Sequence, residues 1–146
     1  MDPRSMFPFN PWIASARGGK IISMTTMNQD DRHEVINHDR VLVFDGTLLG
    51  SSSSKSSSKS RWNEIEIYRT IGGNYVVAGI GRTEVPGEVD RCWAHIAEDA
   101  EGVVELLYIV DADSIRYMTN TARSALEQAA SVDDRIREAF AVQYVA

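Results

Sequence analysis

The sequence predicts an α+β domain in which an antiparallel sheet of three to four strands carries C-terminal helices packed on one face. Strand-like alternation and short apolar runs occupy the middle of the chain, whereas apolar residues at helical spacing fill its last third. Strands first and helices afterwards are typical of the α+β class. With 146 residues, of which 43% are hydrophobic, the chain is long enough to bury one core.

The strands are predicted from apolar runs and from alternation. Residues 40–44 form a short apolar run, which is typical of a buried strand, and the following Asp-Gly pair predicts a turn. Residues 64–68 alternate in the strand period, with acidic side chains and Tyr68 on one face and isoleucines on the other. The two glycines that follow predict a tight turn, and residues 75–80 are predicted to form the second strand of a hairpin. Residues 92–96 are a further strand candidate.

The helices are predicted from their N-terminal capping residues. Asp99 precedes a short apolar pattern, and Asp113 precedes a longer one that begins at Ile115. Ser131, followed three residues later by Asp134, is a variant of the capping box and predicts the start of a last helix.

Composition divides the chain into an arm and one domain. Residues 1–30 contain three of the four prolines and show no periodicity, so that we expect a flexible N-terminal arm. Residues 31–146 are expected to form a single α+β domain, with a Ser/Lys-rich loop at 51–60 that joins two strands. The polar run at 32–39 is expected to be a solvated, partly disordered stretch.

Charge and composition exclude several classes of function. The formal net charge is −6, and residues 61–146 contain 8 basic against 15 acidic residues, so that nucleic acid is not an expected partner. No apolar run is long enough for a membrane-spanning helix, and a single cysteine cannot form an internal disulfide. We therefore expect an acidic cytoplasmic protein that does not enter a membrane.

One short segment has the appearance of a catalytic motif. Residues 41–48 read Val-Leu-Val-Phe-Asp-Gly-Thr-Leu and resemble the opening motif of haloacid-dehalogenase-type phosphatases, Asp-x-Asp-Gly-Thr. Asp45, Gly46 and Thr47 match its later part, but Val43 stands where the nucleophilic aspartate is required. Valine cannot attack phosphorus, so this segment predicts no phosphatase.

The histidines and the cysteine predict neither a metal site nor a thiol nucleophile. His33 and His38 are five residues apart, which does not place them side by side on a helix. Cys92 and His95 would point to opposite faces of a strand, whereas a catalytic pair must lie within hydrogen-bonding reach. No cofactor, metal ligand or catalytic residue is predicted.

The candidate binding residues cluster at the start of the predicted hairpin. They combine aromatic side chains with acidic and basic ones, as protein-binding surfaces do. These residues are Arg61, Trp62, Glu64, Glu66, Tyr68 and Arg69. Alternation places Tyr68 on the face that bears Glu64 and Glu66, and this face is expected to expose its acids.

Residues 61–77, RWNEIEIYRTIGGNYVV, resemble a segment of small uncharacterised bacterial proteins, and this resemblance implies no activity, ligand or site. The order of hairpin, strand and helix is similar to that of small antitoxins that inhibit partner ribonucleases. We expect a non-catalytic protein-interaction module, such as an inhibitor, an antitoxin-like protein or an adaptor, which acts through the amphipathic hairpin and the acidic surface on a protein partner, with a basic partner favoured.

Two other classes of function and a second type of partner remain open. A small hydrolase would require His95, Asp90 and a glutamate to converge in three dimensions. A nucleic-acid-binding accessory protein would use the arginines and the lysines of the serine loop as a local basic face. A second copy of the chain is the alternative protein partner.

Overall fold

The computed structural model describes residues 31–145, with side chains described for residues 31–140. The arm expected at residues 1–30 lies outside the described residues. Five strands form one antiparallel sheet, and each strand pairs with the next along the chain. The strands are β1 (Asp31–Asn37), β2 (Arg40–Ser53), β3 (Arg61–Thr70), β4 (Tyr75–Thr83) and β5 (Arg91–Ala97). The α+β class is confirmed, whereas the prediction of three to four strands is wrong for this sheet.

The additional strand is β1, which forms in the segment that was expected to be solvated. It pairs with β2 over its whole length, and Val35 is fully buried opposite Leu42. His38 takes a positive φ of 59° in the short turn between the two strands. The pairing with β2 therefore turns a polar segment, which shows little periodicity of its own, into a strand.

Strand β2 continues beyond both features that were expected to interrupt it. Asp45 and Gly46 lie within the strand and form no turn, and the strand ends only at Ser53, so that the serine-rich loop comprises residues 54–60. Its pairing with β3 shifts by one residue between Leu48 and Gly50. This irregularity allows Leu49 to join the core on the side of the helices.

Three helices follow the sheet: α1 (Ala100–Leu107), α2 (Asn120–Val132) and α3 (Asp134–Val145). Asp99 caps α1 as predicted, because its side chain accepts a hydrogen bond from the backbone N–H of Gly102 at 2.8 Å. The predicted start of α2 at Asp113 is wrong, and Thr119 caps this helix. Within residues 31–145, no helix combines the length and the apolar character that crossing a membrane requires.

A second, two-stranded hairpin occupies the position where α2 was expected to begin. It consists of β6 (Ile109–Val110) and β7 (Arg116–Tyr117). The carboxylate of Asp111 accepts hydrogen bonds from the backbone N–H groups of Asp113 and Ile115, at 2.8 and 2.9 Å. Such local side-chain bonds favour a turn over a helix, which explains why helical spacing alone was misleading here.

The sheet has a core on each side. The larger core combines side chains of β2 to β5 with those of all three helices, and α3 packs mainly against α1 and α2. The smaller core lies on the concave side, because the sheet curls until the end of β1 reaches β5. The backbone N–H of His38 donates to the carbonyl of Cys92 at 2.9 Å, and the side chain of Asn37 accepts from the N–H of Ala94 at 3.2 Å. The smaller core consists of Val35, Tyr68, Val76, Ala78 and Ala94, with Leu42 and Phe44 packed against them.

Candidate functional site

The alternation of β3 separates the predicted binding residues onto two faces of the sheet. Glu64, Glu66 and Tyr68 lie opposite Ile80, Ala78 and Val76 of β4 and share the concave face, as predicted. Trp62 belongs to the same row, whereas Arg61 and Arg69 belong to the opposite face, which carries the helices.

Glu64 is held in an internal network on the concave face. Its carboxylate accepts hydrogen bonds from the indole N–H of Trp62 at 3.0 Å and from Nε of Arg82 at 3.1 Å. Arg82 also donates to Asp90 at 3.3 Å. The carboxylate of Glu64 therefore has partners within the chain, although it shares the charge of Arg82 with Asp90.

Tyr68, which is buried in the concave core, forms a hydrogen bond with the half-buried Glu66 on the same face. The Tyr68 hydroxyl donates to Glu66 at 2.7 Å, and Tyr68 is only 3% exposed. Burial is the main cause that raises the pKa of both groups, and the two side chains also influence each other. The rings of Phe44 and His33 pack around Tyr68, with centroids at 5.1 and 4.7 Å. The expectation that this face exposes its acids is therefore wrong, because the curled sheet leaves Glu64 and Glu66 only half-exposed.

Arg69 lies at the other end of β3 and contacts the helices. Its Nη1 donates to the buried carboxylate of Asp133 at 2.9 Å, and the hydroxyl of Tyr75 donates to the same carboxylate at 3.1 and 3.2 Å. Burial, followed by the charge of Asp133, raises the pKa of Tyr75 to about 12. Asp133 also accepts from the N–H of Ile136 at 3.0 Å, so that it, and not Ser131, caps α3.

Arg61 and Trp62 line a groove at the end of the sheet where β3 begins and β4 ends. The groove has a volume of about 680 Å³ and lies between the loops 54–60 and 84–90. The six predicted binding residues thus occupy three places: the groove, the concave interior and the contact with α3. The structure does not bring them together as one surface.

The residues of the catalytic alternatives do not converge either. Cys92 lies opposite Ile80 on the concave side, whereas His95 lies opposite Val77 on the other side. Asp90 approaches Arg82 near the groove, but His95 lies further along β5 and is exposed. Within the described part of the chain, no three His, Cys, Asp or Glu side chains cluster closely enough to hold a metal ion.

Sequence reasoning missed an uncovered apolar face on the first two strands. Val41 and Val43 are 52% and 54% exposed, although their run predicted a buried strand. Val41 pairs with Ile36, and Glu34 pairs with Val43. We call this surface the β1–β2 face; its residues are Arg32, Glu34, Ile36, Val41, Val43 and Asp45. The sequence contained a signal of this second apolar face, because the four consecutive apolar residues 41–44 supply apolar side chains to both faces of a strand.

No known protein family, curated protein or solved structure matches this chain. Its candidate function is therefore inferred from the geometry of its own residues.

Proposed function

We propose that the protein is a non-catalytic cytoplasmic interaction module, of the inhibitor, antitoxin-like or adaptor type, and that it binds a protein partner through the β1–β2 face. The observation that carries this proposal is the exposure of Val41 and Val43 within a strand whose sequence pattern is that of burial on both faces. A partner that covers the exposed face completes this burial.

The arrangement of the β1–β2 face supports a protein as the ligand. Ile36, Val41 and Val43 form an apolar centre, and the ion pair between Arg32 and Asp45, at 3.3 Å, lies in the next row of the same face. An apolar centre beside charged residues is typical of protein interfaces. The concave side of the same strands is closed by Val35, Leu42 and Phe44, so that a partner would bind on the outer side.

The charge of this face favours a partner that presents a basic side chain. Glu34 is exposed in the middle row, and the ion pairs within residues 31–140 do not include it. A basic group beside an apolar segment would complement Glu34 and Val43 together. A twofold contact between two copies, centred on this row, would bring two Glu34 carboxylates close together and is therefore disfavoured.

The test compares partner capture by the wild-type chain with capture by a variant of this face. Val43→Asp places a charge at the apolar centre, and Val89→Asp makes the same change in the loop 84–90, where Val89 is 76% exposed. The tagged full chain is incubated with a lysate of its own cells, with and without nuclease, and the retained proteins are quantified by mass spectrometry.

We expect one stoichiometric protein that survives nuclease and is retained by the wild type and by Val89→Asp but not by Val43→Asp. Equal retention by all three chains would contradict the proposal, as would an empty capture or a partner that nuclease removes. A dimer of the purified protein that disappears with Val43→Asp would contradict the choice of a different protein as the partner.

A further inference from the structure

The groove at the end of the sheet concentrates positive charge in an acidic chain. The side chains that line it include one acid, Glu88, and four cations. The cations are Lys59, Arg61, Arg82 and Arg91. Arg82 is already paired with Glu64 and Asp90, so that the local excess consists of Lys59, Arg61 and Arg91 against Glu88, in a chain whose formal charge is −6.

The floor of the groove is formed at Gly81, which has no side chain to fill it. Gly81 of β4 pairs with Asn63 of β3 on one side and with Arg91 of β5 on the other. A side chain at position 81 would project above this floor, and its Cβ would lie 3.6 Å from Oδ1 of Asn63. Glycine at position 81 therefore leaves free the space between Asn63 and Arg91.

Glu88 shows how the groove holds an oxyanion. Arg61 donates two hydrogen bonds to the Glu88 carboxylate, from Nε at 2.9 Å and from Nη2 at 2.5 Å, and the Thr83 hydroxyl donates a third at 2.7 Å. The hydrogen bond from Arg61 is the largest cause that lowers the pKa of Glu88 to about 2. Two parallel bonds from one guanidinium are the geometry in which arginine recognises carboxylate or phosphate.

The segment that carries Glu88 is built so that this carboxylate could be displaced. Glu88 is exposed and belongs to the loop 84–90, in which Gly87 has a φ of 87°. The position of Glu88 on Arg61 therefore does not depend on burial, and an external oxyanion could compete for the same donors.

We propose that the groove binds a small ligand with at least two oxyanion groups, carboxylate or phosphate, one of which replaces Glu88 on Arg61 and Thr83 while the other lies near Lys59 or Arg91. The site is separate from the β1–β2 face and does not depend on the protein partner. A nucleic acid is disfavoured as the occupant, because Trp62 is only 8% exposed and Lys55 lies 4.8 Å above its ring, which leaves no open aromatic platform for a base.

The experiment titrates the full chain separately with citrate, with pyrophosphate and with a single-stranded oligonucleotide, and follows backbone amide shifts by NMR. The variants are Glu88→Gln, which removes the internal competitor, and Arg61→Gln, which removes the donor. Arg135→Gln on α3 is the control with the same loss of charge, since Arg135 lies near Tyr75 at the opposite end of the sheet. Gly81→Val fills the floor of the groove without removing a charge.

We expect saturable shifts at Arg61, Gly81 and Arg91 with at least one of the two anions. The anion that binds shows whether the groove takes carboxylate or phosphate groups. Arg61→Gln should weaken binding by about fivefold or more, and Glu88→Gln should strengthen it by a similar factor. Gly81→Val should also weaken binding, whereas Arg135→Gln should leave it within about twofold.

Three results would overturn the proposal. The first is that neither anion gives saturable shifts, even with Glu88→Gln. The second is that Arg61→Gln and Arg135→Gln weaken binding equally, which would show only a general effect of charge. The third is that a single-stranded oligonucleotide binds more tightly than both anions and loses its affinity with Arg61→Gln, which would assign the groove to nucleic acid. Each result is independent of the outcome for Val43→Asp.

Discussion

Asp133 connects two strands of the sheet to the start of α3. It is 3% exposed and joins Arg69 of β3 and Tyr75 of β4 to the start of α3 through hydrogen bonds. The sequence pattern predicted a capping box of Ser131 and Asp134 at the start of α3, because such a motif is recognised from residues that are close along the chain. The arginine and the tyrosine that hold Asp133 come from strands about sixty residues away, as the separations of 64 and 58 positions show.

Asp133→Ala should lower the free energy of unfolding by about 2–4 kcal/mol, because the Tyr75 hydroxyl loses its buried acceptor, Arg69 loses its carboxylate and α3 loses its cap. Asp134→Ala removes the next carboxylate, which is exposed and pairs with Arg137, and should change this free energy by less than about 0.5 kcal/mol. Urea denaturation at pH 7 measures both variants. Equal losses for the two would contradict the role assigned to Asp133.

Glu66 should make stability depend on pH. Burial raises the pKa of Glu66 in the folded protein above that in the unfolded chain, so that the folded state retains this proton to a higher pH. The stability associated with the protonated form is present below the unfolded pKa of about 4.3 and is lost as the pH rises through the folded pKa.

Glu66→Gln keeps an oxygen that can accept from Tyr68 and stays neutral at every pH. Relative to the wild type, this variant should therefore gain stability as the pH rises from about 4 to 7. Urea denaturation across this range measures the difference, and Glu138→Gln on the exposed side of α3 controls for the loss of one negative charge. A difference that stays constant, or that falls with rising pH, would contradict the raised pKa assigned to Glu66.

At the scale of the elements, the contact between β2 and α2 depends on a glycine. A Cβ at Gly50 would lie 2.3 Å from the carbonyl oxygen of Ala125 and 2.9 Å from the backbone N of Ala129. The helix backbone therefore rests directly on the strand, close to the irregularity at Leu48. A side chain at this position must push the two elements apart.

Gly50→Ala should cost about 1–3 kcal/mol of unfolding free energy, because the helix must move away from the sheet. Gly72→Ala is the matched control in the turn between β3 and β4, where the nearest atom that a Cβ would meet is 3.9 Å away, and it should cost less than about 0.5 kcal/mol. Thermal and urea denaturation of both variants measure the difference. A similar cost at the two positions would show that α2 does not rest closely on β2.

The elements that the sequence predicts correctly are those that local signals determine. The hairpin of β3 and β4 follows from alternation and from its glycine turn, in which Gly73 takes a φ of 91°. Strand β1 was missed, because only its pairing with β2 reveals which of its side chains are buried. The burial of Tyr68 and the half-burial of Glu66 have the same origin, since the curl of the sheet arises from contact between β1 and β5. The division of the predicted binding residues between two faces follows from the alternation of β3 itself.

At the scale of the whole molecule, ion pairs between arginine and acids recur in the described part of the chain, as the absence of lysine after residue 60 suggested. They lie at the groove, on the β1–β2 face and on the helices, and exposed pairs of this kind contribute little stability. The pairs are Arg32–Asp45, Arg61–Glu88, Arg82–Glu64, Arg82–Asp90, Arg116–Glu105 and Arg137–Asp134. The apolar centre of the β1–β2 face differs from this charged surface and lies in a strand whose sequence pattern is that of burial on both faces, and for these two reasons it carries the proposed function.

The single cysteine of the chain permits a direct test of whether a partner covers the β1–β2 face. In a Cys92→Ala background, a cysteine is introduced by Val43→Cys or, as the control, by Val89→Cys. The rate of maleimide modification is then measured for each protein alone and in the presence of the captured partner. We predict that the partner suppresses modification at position 43 and leaves the rate at position 89 unchanged. Equal rates at position 43 with and without bound partner would show that the partner binds elsewhere and would contradict the proposed function of this face.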